Sequence, residues 1–140
     1  MMASTALYTP EVLELATGLA EFGWDDNLPL KSSARSRSCG STLELGLSTD
    51  PDGRIERIGL RSQACAIGQA AAAIFARAAP GRTIPELHAA HDTMRDWLAS
   101  NGPQPDWPGL DAIAAARDYP GRHGAMLLAW QAASEMLPTR

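Results

Sequence analysis

Thr42-Leu43-Glu44-Leu45-Gly46-Leu47, the turn Asp50-Pro51-Asp52-Gly53, the return Ile55 to Leu60, and then Cys65-Ala66-Ile67-Gly68-Gln69-Ala70-Ala71-Ala72-Ala73-Ile74-Phe75-Ala76 together decide the fold. Leucine at every second position, with Thr42, Glu44 and Gly46 between, is the pattern of a strand with one buried face. Asp, Pro and Gly in succession supply turn chemistry, so the chain doubles back as a hairpin. The return strand alternates imperfectly, which predicts a bulge near Arg57. After Cys65 the residues are small and apolar on most sides, the signature of a helix buried by close packing. Pro80-Gly81 ends it.

Upstream, Thr9-Pro10-Glu11 starts a helix. Thr9 can accept from free amides, proline is tolerated in the first turn, and Glu11 complements the positive end of the dipole. Val12, Leu15, Ala16 and Leu19 recur at helical spacing, and Gly23, Asp25-Asp26-Asn27 and Pro29 stop it. Lys31 to Ser38 is short, polar and serine-rich, a loop or an exposed edge strand leading to Cys39. Downstream, Thr83-Ile84-Pro85-Glu86 has capping-box spacing, and Ile84, Leu87, His91, Met94 and Leu98 make a stripe on the helix that follows, through Trp97 to Asn101-Gly102. Gly102 to Pro108 is irregular, Leu110 to Ala116 reads as a short helix, and Tyr119-Pro120-Gly121 breaks the chain before a last helix from about Arg122 to Leu137. The expected class is α+β: a small antiparallel sheet of about three strands packed on one side by several helices, within a single domain spanning 1–140.

At 140 residues the chain can bury a core but has no room for a second catalytic domain. Twelve basic against sixteen acidic side chains give a net charge of −4, which supplies no basic footprint for nucleic acid. Met1 to Leu7 lacks the regions of a signal peptide, and no apolar run approaches a membrane span, so a cytoplasmic protein is expected.

The only thiols are Cys39, in Ser38-Cys39-Gly40-Ser41, and Cys65, in Gln63-Ala64-Cys65-Ala66. Each stands where one element gives way to the next, a place from which a side chain can point into a shared pocket. In a reducing compartment such a pair is a ligand pair, a redox pair or two inert buried thiols, and composition does not choose. Cys65 opens a helix, where free amides and the dipole favour a thiolate, so it is the better nucleophile or ligand. Gly40 leaves the backbone beside Cys39 free to turn sharply.

Taken together, Cys39-Gly40, the hairpin, Cys65 at the head of an alanine-rich helix, and Leu110-Asp111-Ala112-Ile113, Ala116-Arg117-Asp118-Tyr119-Pro120-Gly121-Arg122 and Leu128-Ala129-Trp130 resemble the iron–sulfur cluster assembly scaffold family of the IscU, SufU and NifU N-terminal type. The likeness runs from Tyr8 to about Ala132, and the helix-bearing insert between Thr83 and Ser100 is similar to the SufU branch. The resemblance implies a site in which three cysteines and an aspartate, two residues after the first cysteine, hold zinc or a nascent cluster. Cys39 and Cys65 fall on the first two cysteine positions. Ser41 stands at the aspartate position, Ala125 at the third cysteine position, and Gly124 where a lysine or histidine is usual. Arg122 matches a frequently basic position.

Two thiolates do not close a tetrahedral zinc or iron–sulfur site, which needs further thiolate, imidazole or carboxylate donors. His123 is the nearest substitute in sequence. Positions two apart on a helix point about 200° from each other, however, so a helix already formed at His123 turns its imidazole away from the side of Ala125. His88, His91 and Asp92 have spacing that can present donors on one helix face, although His91 also belongs to the core stripe. Trp97, Trp107, Trp130 and Phe75 read as core and rim aromatics. Arg35, Arg37, Arg61 and Arg122 either surround the thiol pocket, where cations favour sulfur anions, or are scattered solvated arginines.

What the resemblance implies is a scaffold-type protein rather than a classical enzyme. It would accept sulfur from a cysteine desulfurase, with Cys65 as the acceptor, and would bind iron, an iron–sulfur cluster or zinc transiently through Cys39 and Cys65, in company with other assembly proteins. Two alternatives stand beside it: a diverged, metal-free binding module for assembly partners, and a thiol-based sulfur-transfer protein in which Cys39 resolves an intermediate on Cys65.

Overall fold

The computed structural model describes residues 7–37 and 40–136. Strands β1 (Leu30–Arg35), β2 (Thr42–Thr49) and β3 (Ile55–Gln63) form an antiparallel sheet in the order β1-β2-β3. Of the two readings open for Lys31 to Ser38, residues 31–35 take the edge strand, and Ser38 lies outside the described residues. The register sets Leu43 between Ala34 and Ser62, Leu45 between Ser32 and Leu60, and Leu47 between Leu30 and Ile58. One face of the sheet therefore carries the leucines into the core, where Leu43, Leu45, Leu47 and Leu60 are buried. Ser48 pairs with Arg57 but Thr49 with Ile55, so Glu56 is the extra residue, and the bulge lies where the broken alternation beside Arg57 puts it.

The other face is closed at one end by a backbone device. Gly46 and Gly59 are partners across β2 and β3. A Cβ on Gly59 would lie 2.7 Å from the Gly23 carbonyl oxygen and 3.1 Å from Leu28 Cδ1, and one on Gly46 would lie 3.1 Å from the same Cδ1. The absence of both side chains lets the segment after residue 22 cross the sheet and bury Leu28 against it.

Helix α1 (Pro10–Gly18) begins as its sequence demands, with Thr9 Oγ1 accepting from the Val12 amide at 3.1 Å, and runs on as a 3₁₀ turn over Leu19–Phe22. Helix α2 (Ala66–Ala78) is buried from Ile67 to Ala76 with the exception of half-buried Gln69, because alanine and Gly68 let α1 and a later helix approach closely. In α3 (Ile84–Leu98) the capping box is complete: Glu86 accepts from the Thr83 amide at 2.8 Å, and Thr83 Oγ1 accepts from the Glu86 amide at 3.3 Å. The segment read as a short helix is a 3₁₀ helix over Leu110–Asp118. Its buried residues, Leu110, Ile113 and Ala116, recur every three positions, which matches three residues per turn rather than 3.6. After a further 3₁₀ turn over Pro120–Arg122, α4 (His123–Ser134) packs against α2, α3, β1 and β2. Leu137, the expected end of this helix, lies outside the described residues.

Phe75, Trp107 and Trp130 form the aromatic centre. Phe75 and Trp107 stack with centroids 5.6 Å apart, and Trp130 meets both edge-on at 5.3 Å. Such pairs add about 0.5–1.5 kcal/mol each beyond the area they bury. Trp107 Nε1 donates to the Ile74 carbonyl at 3.0 Å, which ties the Pro-rich approach segment to α2.

Candidate functional site

The hairpin register determines where the Cys65 junction lies. Thr42 pairs with Gln63, so Ser41, just before β2, and Cys65, just after β3, leave the same end of the sheet. Ser36 and Ser41 bracket the connection between β1 and β2. The Ser36 amide donates to the Ser41 carbonyl at 2.8 Å, the Gly40 amide donates to the Ser36 carbonyl at 2.9 Å, and Gly40 has a φ of 72°, in the left-handed region that glycine adopts without strain. Cys39 lies outside the described residues.

Cys65 is the N-cap of α2, with an extended backbone and a partly exposed side chain. Its carbonyl accepts from the Gln69 amide at 2.9 Å, while its thiol makes no capping hydrogen bond to the amides of the first turn. Ser41 is buried, at 6 % exposure. Ala125, on the first turn of α4, is also buried, and a Cβ added to Gly68 would lie 3.2 Å from the Ala125 Cβ. The structure thus brings position 125 against the first turn of the helix that Cys65 opens, and puts Ser41 at the same end of the molecule.

His123 is the first residue of α4, and its Nε2 donates to the Arg117 carbonyl at 2.6 Å. That bond turns the ring toward the preceding 3₁₀ helix and commits one of its nitrogens to a backbone acceptor. His88 Nε2 is likewise bonded to the Met136 carbonyl at 2.7 Å, and Asp92 faces Arg95 at 3.9 Å. Burial holds the His91 imidazole below its usual pKa, and Arg95 adds to the effect. Among the described residues no group of three or more histidine, cysteine, aspartate or glutamate side chains is placed to hold a metal ion.

The arginines divide. Arg35 and Arg61 line a cavity of about 420 Å³ with Thr42, Glu44, Ser62 and Gln63, at the end of the sheet where the Cys65 junction leaves. Arg61, however, is engaged by its cross-strand partner Glu44 and lies over the Trp24 ring at 4.5 Å, so its charge is shared with the outer face. The hydrogen bond from Arg61 holds the Glu44 carboxyl below the usual carboxylate range. Arg122 donates to the Tyr8 hydroxyl at 3.2 Å. The grouping of Trp24, Glu44 and Arg61 was not evident in the sequence, because it depends on the strand register and on the crossing segment that carries Trp24.

A three-stranded antiparallel sheet packed by helices, with a cysteine at the head of a buried alanine-rich helix, places the chain in an α+β class. Solved structures of that class match it closely. A NifU-like protein (N-terminal) from Brucella abortus is 31% identical, with 96% of this chain and 94% of that one covered and a TM-score of 0.82. A SufU protein from Fervidobacterium islandicum AW-1, described as an iron–sulfur cluster assembly scaffold for the SUF system, shares the fold at 19% identity, with 95% and 98% covered and a TM-score of 0.82. No protein-family model and no curated protein matches the sequence. The chain belongs to the NifU-like N-terminal family, the group that includes the IscU and SufU scaffolds.

Proposed function

We propose that this chain, as one domain over residues 1–140 acting in the cytoplasm, serves iron–sulfur cluster assembly as a scaffold-type protein that accepts sulfur on Cys65 and holds iron or zinc only transiently. The observation that carries the reading is the position of Cys65: a partly exposed N-cap whose thiol makes no capping bond, in a chain of this family. The partial positive charge of the helix end complements the negative charge that a sulfur donor brings. In the transfer, the Cys65 thiolate attacks the outer sulfur of a persulfide on a cysteine desulfurase. A new S–S bond forms at Cys65, the donor's own S–S bond breaks, and the donor cysteine leaves as a thiolate. Cys39 and Cys65 are the proposed ligands for the incoming ion.

With serine at position 41 and a buried alanine at 125, the donors of this chain do not by themselves fill a tetrahedral site. Iron or zinc is therefore cargo held weakly, with the remaining positions open to solvent or to another assembly protein. The same observation favours a second reading, a metal-free module that binds assembly partners.

The test is anaerobic incubation with a cysteine desulfurase and L-cysteine, followed by mass analysis of the Cys65 peptide and of bound metal. Gain of one sulfur atom on Cys65, lost in Cys65→Ser, supports sulfur acceptance. An unmodified Cys65 peptide excludes it, and absence of metal after reconstitution with iron and sulfide selects the second reading.

A further inference from the structure

At the end of α2 remote from Cys65, about 20 Å along the helix axis, the surface holds a second cavity of about 430 Å³, lined by Leu15, Ile74, Arg77, Ala78, Arg82, Pro108 and Gly109. Its walls are apolar, and its two charges are both cationic, on a chain whose net charge is −4. Arg82 is held rigidly. Its Nε donates to the Ala78 carbonyl at 2.8 Å and its guanidinium lies over the Trp107 ring at 4.1 Å, while that ring is itself fixed by its bond to Ile74 and its stack on Phe75. Arg77 rests against Gly18 at the end of α1: a Cβ there would come within 2.8 Å of its Nη2, so the lack of a side chain makes room for the guanidinium.

Neither arginine pairs with a carboxylate among the described residues, whereas Arg57, Arg61 and Arg95 each do. Glu86, whose carboxyl feels the charge of Arg82, is committed to the capping box of α3. A guanidinium fixed through its Nε and one face, with its terminal nitrogens unpaired by any carboxylate, is preorganised for the planar two-oxygen geometry of a carboxylate.

We propose that this groove binds an acidic–apolar segment of a partner protein, an aspartate or glutamate carboxylate on Arg82 and Arg77 with a neighbouring aliphatic side chain against Leu15, Ile74 and Pro108. The complement of its lining is an anion attached to an apolar body, and a segment seated there leaves the Cys65 end of α2 uncovered. The inference stands on this cavity alone and does not rest on the thiol chemistry.

The test is a titration of the ¹⁵N-labelled full chain, followed by NMR, with three probes: the peptide acetyl-Leu-Glu-Leu-Glu-Leu-amide, its glutamine counterpart, and hexanoate. The glutamate peptide should shift the amides of Ala78, Arg82 and Gly109 and the Trp107 indole. Its Kd should rise at least tenfold in Arg77→Gln and in Arg82→Gln, and for the glutamine peptide. Arg77 is exposed, so Arg77→Gln retains the fold and keeps the test decisive if Arg82→Gln does not. Equal shifts from both peptides, or affinities unchanged in Arg77→Gln, overturn the proposal. Saturation by hexanoate without response to the peptide also overturns it, by assigning the groove to a small acid.

Discussion

Gly68 and Ala125 face one another across the contact between α2 and α4, so close that a methyl group on Gly68 would stand 3.2 Å from the Ala125 Cβ and 2.9 Å from that of Ala64. Alanine at 68 gains up to about 1 kcal/mol of helix propensity, but overpacking of such a contact costs about 1–3 kcal/mol. Gly68→Ala should therefore be destabilising by about 1 kcal/mol, read as a lower urea midpoint with an unchanged m-value. An equal or higher midpoint means that the helices part without cost.

The same contact bears on metal binding. A thiol at position 125 would stand beside the first turn of α2, at whose head Cys65 sits, and a carboxylate at 41 would restore the other missing donor. Ser41→Asp with Ala125→Cys should raise zinc content, measured on protein purified anaerobically, from well below one ion per chain to near one. If the double variant folds and its zinc content does not rise, position 125 does not share a site with Cys65.

Trp107 links three features: the stack on Phe75, the bond to the Ile74 carbonyl and the cradle for Arg82. Trp107→Ala should cost about 3–5 kcal/mol, the usual range for deleting a buried tryptophan. Denaturant unfolding gives the number, and a loss below about 1 kcal/mol would show that the approach segment is only loosely tied to α2.

His91 gives stability a dependence on pH. It faces His88, Asp92, Arg95 and Glu135, and burial is the main cause of its lowered pKa. The unfolded chain therefore binds a proton at His91 at higher pH than the folded one. The contribution is present above the ordinary histidine value and is lost as pH falls through the lowered one. Unfolding free energies of wild type and His91→Gln, compared from pH 8 to pH 5, should show the smaller decline in the variant. Parallel curves would assign the dependence elsewhere.

Elements whose cause is local were legible in the chain. Thr83 and Glu86 announce a helix start three residues apart, and Leu43, Leu45 and Leu47 announce a strand, because capping and pleat act within a few residues. The 3₁₀ character of Leu110–Asp118 has a trace in the sequence, since Leu110, Ile113 and Ala116 stand three apart, but the other alanines blur the difference between periods of 3 and 3.6. The meeting of Glu44, Arg61 and Trp24 could not, since it requires the pairing of two strands and a segment crossing over them. The groove at Arg82 is of the same kind: Leu15, Ile74 and Pro108 come from three distant parts of the chain. Positions 65 and 125 are linked in the sequence only by family likeness, and the contact of Ala125 with Gly68, on the helix that Cys65 opens, is a product of helix packing that no spacing rule contains.

The paired glycines under Leu28 tie the histories of two strands together. A side chain gained at Gly59 meets the Gly23 carbonyl and lifts the crossing segment, whereas one at Gly46 meets only the Leu28 side chain; loss of Gly59 therefore removes the constraint on Gly46 and Leu28, and relatives without Gly59 should vary freely at both.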